Sequence, residues 1–215
     1  MHQFELVIFD CDGVLVDSER ITNTVFAQML NELGLNLTLE DMFNKFVGNS
    51  MTTCLEMIQG MLGKSIPKTF VGEYKVRTKK ALESELQAVE GIKDALDRLN
   101  LPYCVASSGD REKMQTTLGI TNLLSYFEDK LFSVTEVANG KPHPDIFLYA
   151  AEKMGFKPEK CVVVEDTPIG VKGGVAAGMT VFGYAKLMKP EKLTAAGAHI
   201  IFDEMKLLPE LVENN

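Results

Sequence analysis

The chain has 215 residues, with 22 Lys+Arg against 30 Asp+Glu, and a formal net charge of −8. That length fits one large domain, or one domain carrying a smaller insert, and can bury roughly 70% of its unfolded surface without a disulfide or zinc staple. A composition 46% hydrophobic and 24% charged excludes wholesale disorder, and a pI near 5.0 excludes a general nucleic-acid binder, whose grip on phosphate backbones needs clustered Lys and Arg.

Short apolar runs alternate with longer amphipathic stretches. The first run is FELVIF (Phe4 to Phe9), and the others are YCVAS (Tyr103 to Ser107), KLFSV (Lys130 to Val134), CVVVE (Cys161 to Glu165) and TVFGY (Thr180 to Tyr184). Continuous rather than alternating apolarity is what parallel strands covered on both faces need. Between the runs, Ile146, Phe147, Ala150, Ala151 and Met154 recur at helical spacing, and Thr167-Pro168 sets a capping hydroxyl before a proline at the first helical position. The alternation predicts a doubly wound, Rossmann-like α/β parallel sheet.

Residues 16–87 break this rhythm. Ile21, Val25, Met29 and Leu33 lie four apart, Phe26 and Leu30 widen the stripe, and further helical stretches follow around Leu39 to Phe46, Thr52 to Leu62 and Lys68 to Glu85. Gly48, Gly60, Gly63 and Pro67 punctuate them. The expected organisation is an α/β core from residues 1–15 and 88–215, with a helical insert over 16–87. Lys75 to Lys80 reads as a solvated helix face.

The cysteines at 11, 54, 104 and 161 show no metal-ligand spacing, and the chain has three histidines, so a thiolate zinc site is not expected. No basic leader precedes the first run, and no apolar stretch approaches 18 residues. A reducing cytoplasm is the expected location, with no membrane and no nucleic-acid partner.

Polar clusters fall at the ends of these runs. Asp10-Cys11-Asp12-Gly13 follows the first run, at the edge of an open α/β sheet where ligands bind. Two carboxylates one residue apart repel unless a cation or a proton intervenes, and Mg²⁺ takes oxygen ligands. A turn of solvated acids explains an isolated DxDG equally well. Ser107-Ser108-Gly109 offers a hydroxyl and backbone amides suited to phosphate oxygens, or an ordinary helix cap. Gly140-Lys141-Pro142 supplies a point cation just before a helix, with Pro144 near that helix's start. Glu165-Asp166 closes the fourth run with a second acidic pair, which could also serve a helix dipole.

Taken together, FDCDGVLVDSE (Phe9 to Glu19), ASSGD (Ala106 to Asp110), GKPHPDIF (Gly140 to Phe147) and VVVEDTPIGVKGGVAAGM (Val162 to Met179) resemble the haloacid-dehalogenase-type (HAD) phosphatase superfamily across essentially the entire chain. The similarity is greatest to members with a small helical cap after the first strand. It implies Asp10 as nucleophile, forming an aspartyl-phosphate, and Asp12 as general acid and then base. It implies Mg²⁺ held by Asp10, the main-chain carbonyl of Asp12 and Asp166, with Glu165 as a further helper. Ser107, Ser108 and Lys141 are the implied phosphate-binding residues.

β-Phosphoglucomutases share DxDG and the cap, but carry a histidine and an arginine where this chain has Thr22 and Met51, which favours hydrolysis. Dehalogenation lacks the second aspartate, and a receiver-type signalling module would have no insert. Caps in this superfamily close over the active site, so the resemblance implies a small soluble phosphate ester as the partner, and a monomer is expected. The stretches at residues 86–91, 113–115 and 129–133 are similar to bacterial 6-phosphogluconate phosphatase types. Lys45, Lys64 and Lys68 in the insert are candidate substrate cations or plain surface solubilisers.

Overall fold

A computed structural model describes residues 3–47, 49 and 51–215; Gly48, one of the expected breaks, lies outside them. In chain order the elements are β1 (Leu6–Phe9), helices α1 (Ser18–Glu32), α2 (Leu39–Lys45), α3 (Met51–Leu62), α4 (Phe70–Glu85) and α5 (Ile92–Arg98), then β2 (Tyr103–Ser107), α6 (Arg111–Ile120), α7 (Leu124–Phe127) and β3 (Leu131–Ser133). The remainder is α8 (Asp145–Met154), β4 (Cys161–Glu165), α9 (Pro168–Ala176), β5 (Thr180–Tyr184), α10 (Pro190–Ala196), β6 (Ile200–Phe202) and α11 (Leu208–Asn214). The chain divides into two compact units, Met1–Asp17 with Gln87–Asn215 and, separately, Ser18–Leu86.

The first unit is built on a six-stranded parallel sheet in the order β3-β2-β1-β4-β5-β6. The expected doubly wound α/β fold is what the chain adopts. Its centre is the most apolar part: every residue of β1 and β4 is buried, as strands covered on both faces require. Phe9, Tyr103 and Phe127 pack edge to face, with centroids 5.4 to 6.2 Å apart. The chain winds outward from β1 through β2 to β3, then crosses back to β4 and winds the other way. The strand order therefore reverses between β1 and β4, the switch point at which doubly wound sheets leave a crevice at their carboxyl ends.

The described residues of the second unit form helices α1 to α4 and the turns between them, with no strand. Its core gathers Val25, Phe26, Met29 and Leu30 of α1 with Met42, Phe46, Cys54, Ile58 and Phe70. Phe26 is the hub, its ring 6.1 Å from Phe46, 5.9 Å from Phe70 and 4.9 Å from Tyr74. α2 opens with a reciprocal capping box in which Thr38 accepts from the Asp41 N–H and Asp41 accepts from the Thr38 N–H. Lys75 to Lys80 lie on α4 and are exposed except for half-buried Thr78.

Candidate active site

The site lies at the switch point. β1 and β4 run in register from Leu6↔Cys161 to Phe9↔Val164, and the Asp10 N–H continues the ladder onto the Val164 carbonyl at 2.9 Å. Asp10 therefore leaves β1 beside the place where Glu165 and Asp166 leave β4. All three carboxylates are buried, at 7%, 1% and 6% exposure.

Lys141 is brought to this corner from the long connection between β3 and β4. Its ammonium donates to Asp10 Oδ1 at 2.5 Å and to Glu165 Oε1 at 2.8 Å, while lying 4.9 Å from the centroid of the Phe147 ring. The side chain is 4% exposed, so this is a buried ion triad. The other oxygen of Glu165 accepts from the Thr167 N–H and hydroxyl, both at 2.9 Å. Thr167 in turn caps α9, accepting from the Gly170 N–H at 3.1 Å. The Glu165 carboxylate packs so closely on α9 that a Cβ at Gly170 would sit 1.7 Å from Oε1, so any larger residue there must displace that carboxylate.

Burial raises the Asp10 carboxyl to about 7, against the pull of Lys141, and the neighbouring charges of Glu165 and Asp12 push the same way. For Lys141 burial acts in the opposite sense, but Asp10 and Glu165 outweigh it and hold the ammonium protonated. Asp12 lies in the turn after β1, which closes through Gly13 N–H to Val16 O at 2.8 Å, and its Oδ2 accepts from Lys113 Nζ at 2.6 Å. Ser107, at the end of β2, is buried and its hydroxyl accepts from the Gly109 N–H at 3.0 Å. Ser108 is exposed.

Four carboxylates (Asp10, Asp12, Glu165, Asp166) face two ammonium groups (Lys141, Lys113) here, and four minus two leaves a formal surplus of two negative charges. Among the described residues no three His, Cys, Asp or Glu side chains close into a metal-holding cluster. The carboxylate oxygens of Asp10 and Asp166 at this corner are of the kind Mg²⁺ takes, since that ion is held through one or two carboxylates and keeps several waters or takes substrate phosphate oxygens.

Residues 7–184 match the family of haloacid dehalogenase-like hydrolases. The chain belongs to that family. Within it, the chain is 35% identical to the 6-phosphogluconate phosphatase of Escherichia coli K12, over 98% of this chain and 96% of that protein. A conserved haloacid dehalogenase-like protein from Agrobacterium tumefaciens C58 superposes with a TM-score of 0.93 at 33% identity, over 97% of each chain. A HAD family hydrolase from Deinococcus radiodurans R1, solved with bound phosphate and sodium, gives 0.89 at 28% identity, over 100% of this chain and 97% of that one. Membership of this hydrolase family and kinship with named phosphatases agree with the enzyme class expected from the motifs.

The corner thus assembles Asp10, Lys141, Glu165 and Asp166 from widely separated segments. Sequence reasoning missed two of its neighbours. Lys113 had a legible cue, since it stands three residues after the Asp110 helix cap on the segment that follows Ser107. Tyr184, buried at the end of β5, is pushed up to about 12, first by burial and then by the acids Glu90, Asp166, Asp203 and Asp17. Nothing in TVFGY announces that setting. Tyr184 also lines a cavity of about 250 Å³ with Glu90, Lys186 and Asp203.

Proposed function

We propose that the protein is a Mg²⁺-dependent phosphatase that hydrolyses a small phosphate monoester, a sugar phosphate or phosphosugar acid such as 6-phosphogluconate. The observation that carries this reading is the buried triad at the switch point. A carboxylate at a strand end, gripped by a buried ammonium beside further carboxylates, is arranged for a nucleophile that works on an anion. The 35% identity to a 6-phosphogluconate phosphatase over nearly the full chain supports the substrate class.

An Asp10 oxygen attacks phosphorus, the bond from phosphorus to the ester oxygen breaks, and Asp12 gives its proton to the departing alkoxide. Water then attacks the aspartyl-phosphate, Asp12 takes a proton from it, and the bond between phosphorus and Asp10 breaks to release inorganic phosphate. Asp10, Asp166 and the Asp12 carbonyl would hold Mg²⁺, which supplies charge neutralisation for the phosphoryl oxygens. Ser107 and Lys141 bind those oxygens, with Ser108 at the rim, and Glu165 keeps Lys141 in place. General acid–base catalysis contributes about 10²–10⁴ to a reaction whose total acceleration can approach 10²¹, so the groups must act together.

Hydrolysis is favoured over mutase chemistry by the residues at two cap positions. The Thr22 hydroxyl is spent on the Glu19 carbonyl at 3.2 Å, and Met51 packs against the helical unit's core. We further propose a cytoplasmic monomer; its cysteines are free and buried, and among the described residues no helix is long and apolar enough to cross a membrane. The test is a phosphate-release screen over sugar phosphates, phosphosugar acids and nucleotides, with Asp10→Asn and EDTA as controls. Turnover that survives Asp10→Asn, or that ignores EDTA, overturns the reading.

A further inference from the structure

We propose, on the strength of that reading, that Lys113 is a positioning residue for Asp12, the group assigned proton transfer. Its Nζ donates to Asp12 Oδ2 at 2.6 Å, from a side chain 44% exposed onto a carboxylate 18% exposed. Ion pairs this accessible contribute little to stability. What distinguishes this one is how firmly its base is fixed. The Lys113 N–H is donated to the Asp110 helix cap at 2.7 Å. Arg111 ties the same turn to the Leu131 carbonyl at 2.6 Å, and the Ser133 hydroxyl holds the Gly109 carbonyl at 2.8 Å.

Gly109 leaves the passage through which the lysine stem reaches Asp12. A Cβ at that position would lie 3.3 Å from Lys113 Cδ, 3.4 Å from Ser107 Oγ and 3.9 Å from Asp12 Oδ2. Lysine, serine and aspartate thus converge around one residue without a side chain. The two lysines divide the work: Lys141 holds the nucleophile, and Lys113 aims the acid and base. Aim matters because a displacement of about 1 Å can cost on the order of 10²-fold in rate. The proton transfers themselves belong to Asp12, which exchanges a proton with the leaving oxygen and then with water.

The test compares kcat/KM for an alkyl phosphate, such as a hexose phosphate, with that for p-nitrophenyl phosphate. This parameter covers steps up to departure of the leaving group, and a nitrophenolate departs without a proton. In Lys113→Met the alkyl ester should lose about 10- to 100-fold, and the aryl ester less than about 3-fold, while the thermal unfolding midpoint stays unchanged. Asp12→Asn should show the same selectivity, and adding Lys113→Met to it should cost less than about twofold more. Lys113→Arg should recover part of the alkyl activity. Lys113→Gln carries the same comparison if the methionine variant aggregates. Equal losses on both esters, or full additivity with Asp12→Asn, overturn the role of Lys113. Persistent turnover in Asp10→Asn would instead overturn the phosphatase reading, so the two failures are told apart.

Discussion

In the sheet unit, Lys141 pairs with Asp10 and Glu165 on side chains exposed by 4, 10 and 1%. In the helical unit, Arg77 pairs with Glu32 and Lys45 with Asp41 on side chains exposed by 30 to 57%. The chemistry of the partners is the same, and their energetic roles differ because of the solvent around them. A surface pair exchanges one hydrated arrangement for another, whereas the buried triad gives up hydration that only its own members can replace. The helical unit draws its stability from the apolar cluster around Phe26. The sheet unit gives up some stability to hold these charges out of water, at the corner proposed as the active site.

The sharpest way to break this contrast is Lys141→Met. It leaves Asp10 and Glu165 facing each other without a cation, so we expect complete loss of phosphate release and about 3–5 kcal/mol of destabilisation in urea unfolding. Gly170→Ala strikes the same triad from behind, by driving a methyl group into the Glu165 carboxylate; overpacking of this kind costs about 1–3 kcal/mol, and activity should fall with it.

The pH dependence sharpens the contrast further. Asp10 is raised from 3.8 to about 7, so the stability contributed by its neutral form is full below the ordinary carboxylate range and is lost as pH rises through about 7. Mg²⁺ should therefore raise the melting temperature of the EDTA-stripped protein more at pH 8 than at pH 5, and an equal rise at both would contradict it. Asp41 runs the opposite way. The Lys45 hydrogen bond, followed by those of Thr38, holds it well below the usual range, so its contribution persists until the pH falls far into acid. The smallest effects are expected in the helical unit: Thr38→Ala should cost about 1 kcal/mol through the lost cap, and Glu32→Gln should leave urea unfolding unchanged.

Much of the sheet was legible in the sequence because its strands are buried on both faces. YCVAS, CVVVE and TVFGY coincide with β2, β4 and β5 end to end. β6 escaped notice: three residues, Ile200–Phe202, at the sheet's edge make no run long enough to stand out. The helical stretches were legible from their period, with ends displaced by a residue or two, as where α2 stops at Lys45 and Phe46 becomes its cap. The candidate site residues could be named from strand ends and motifs, but their pairings could not. That Glu165 grips Lys141 with one oxygen and Thr167 with the other depends on a contact between segments 24 residues apart. Lys113 and Asp12 are 101 residues apart, and no local pattern joins them.

The position of β1 also has a consequence for how the chain comes off the ribosome. β1 is made before every other strand of its sheet, yet one of its two neighbours, β4, begins at Cys161, and Asp10 meets Lys141 across 131 residues of sequence. The helical unit, by contrast, closes its core within one continuous stretch. Local contacts form quickly, whereas long-range parallel pairing must wait for the loop it closes. The emerging chain would therefore carry a folded helical unit beside an unsatisfied apolar LVIF segment. The acidic cluster completes only when Lys141 and β4 have arrived, so its charges are brought together at the same stage as the ammonium that neutralises them.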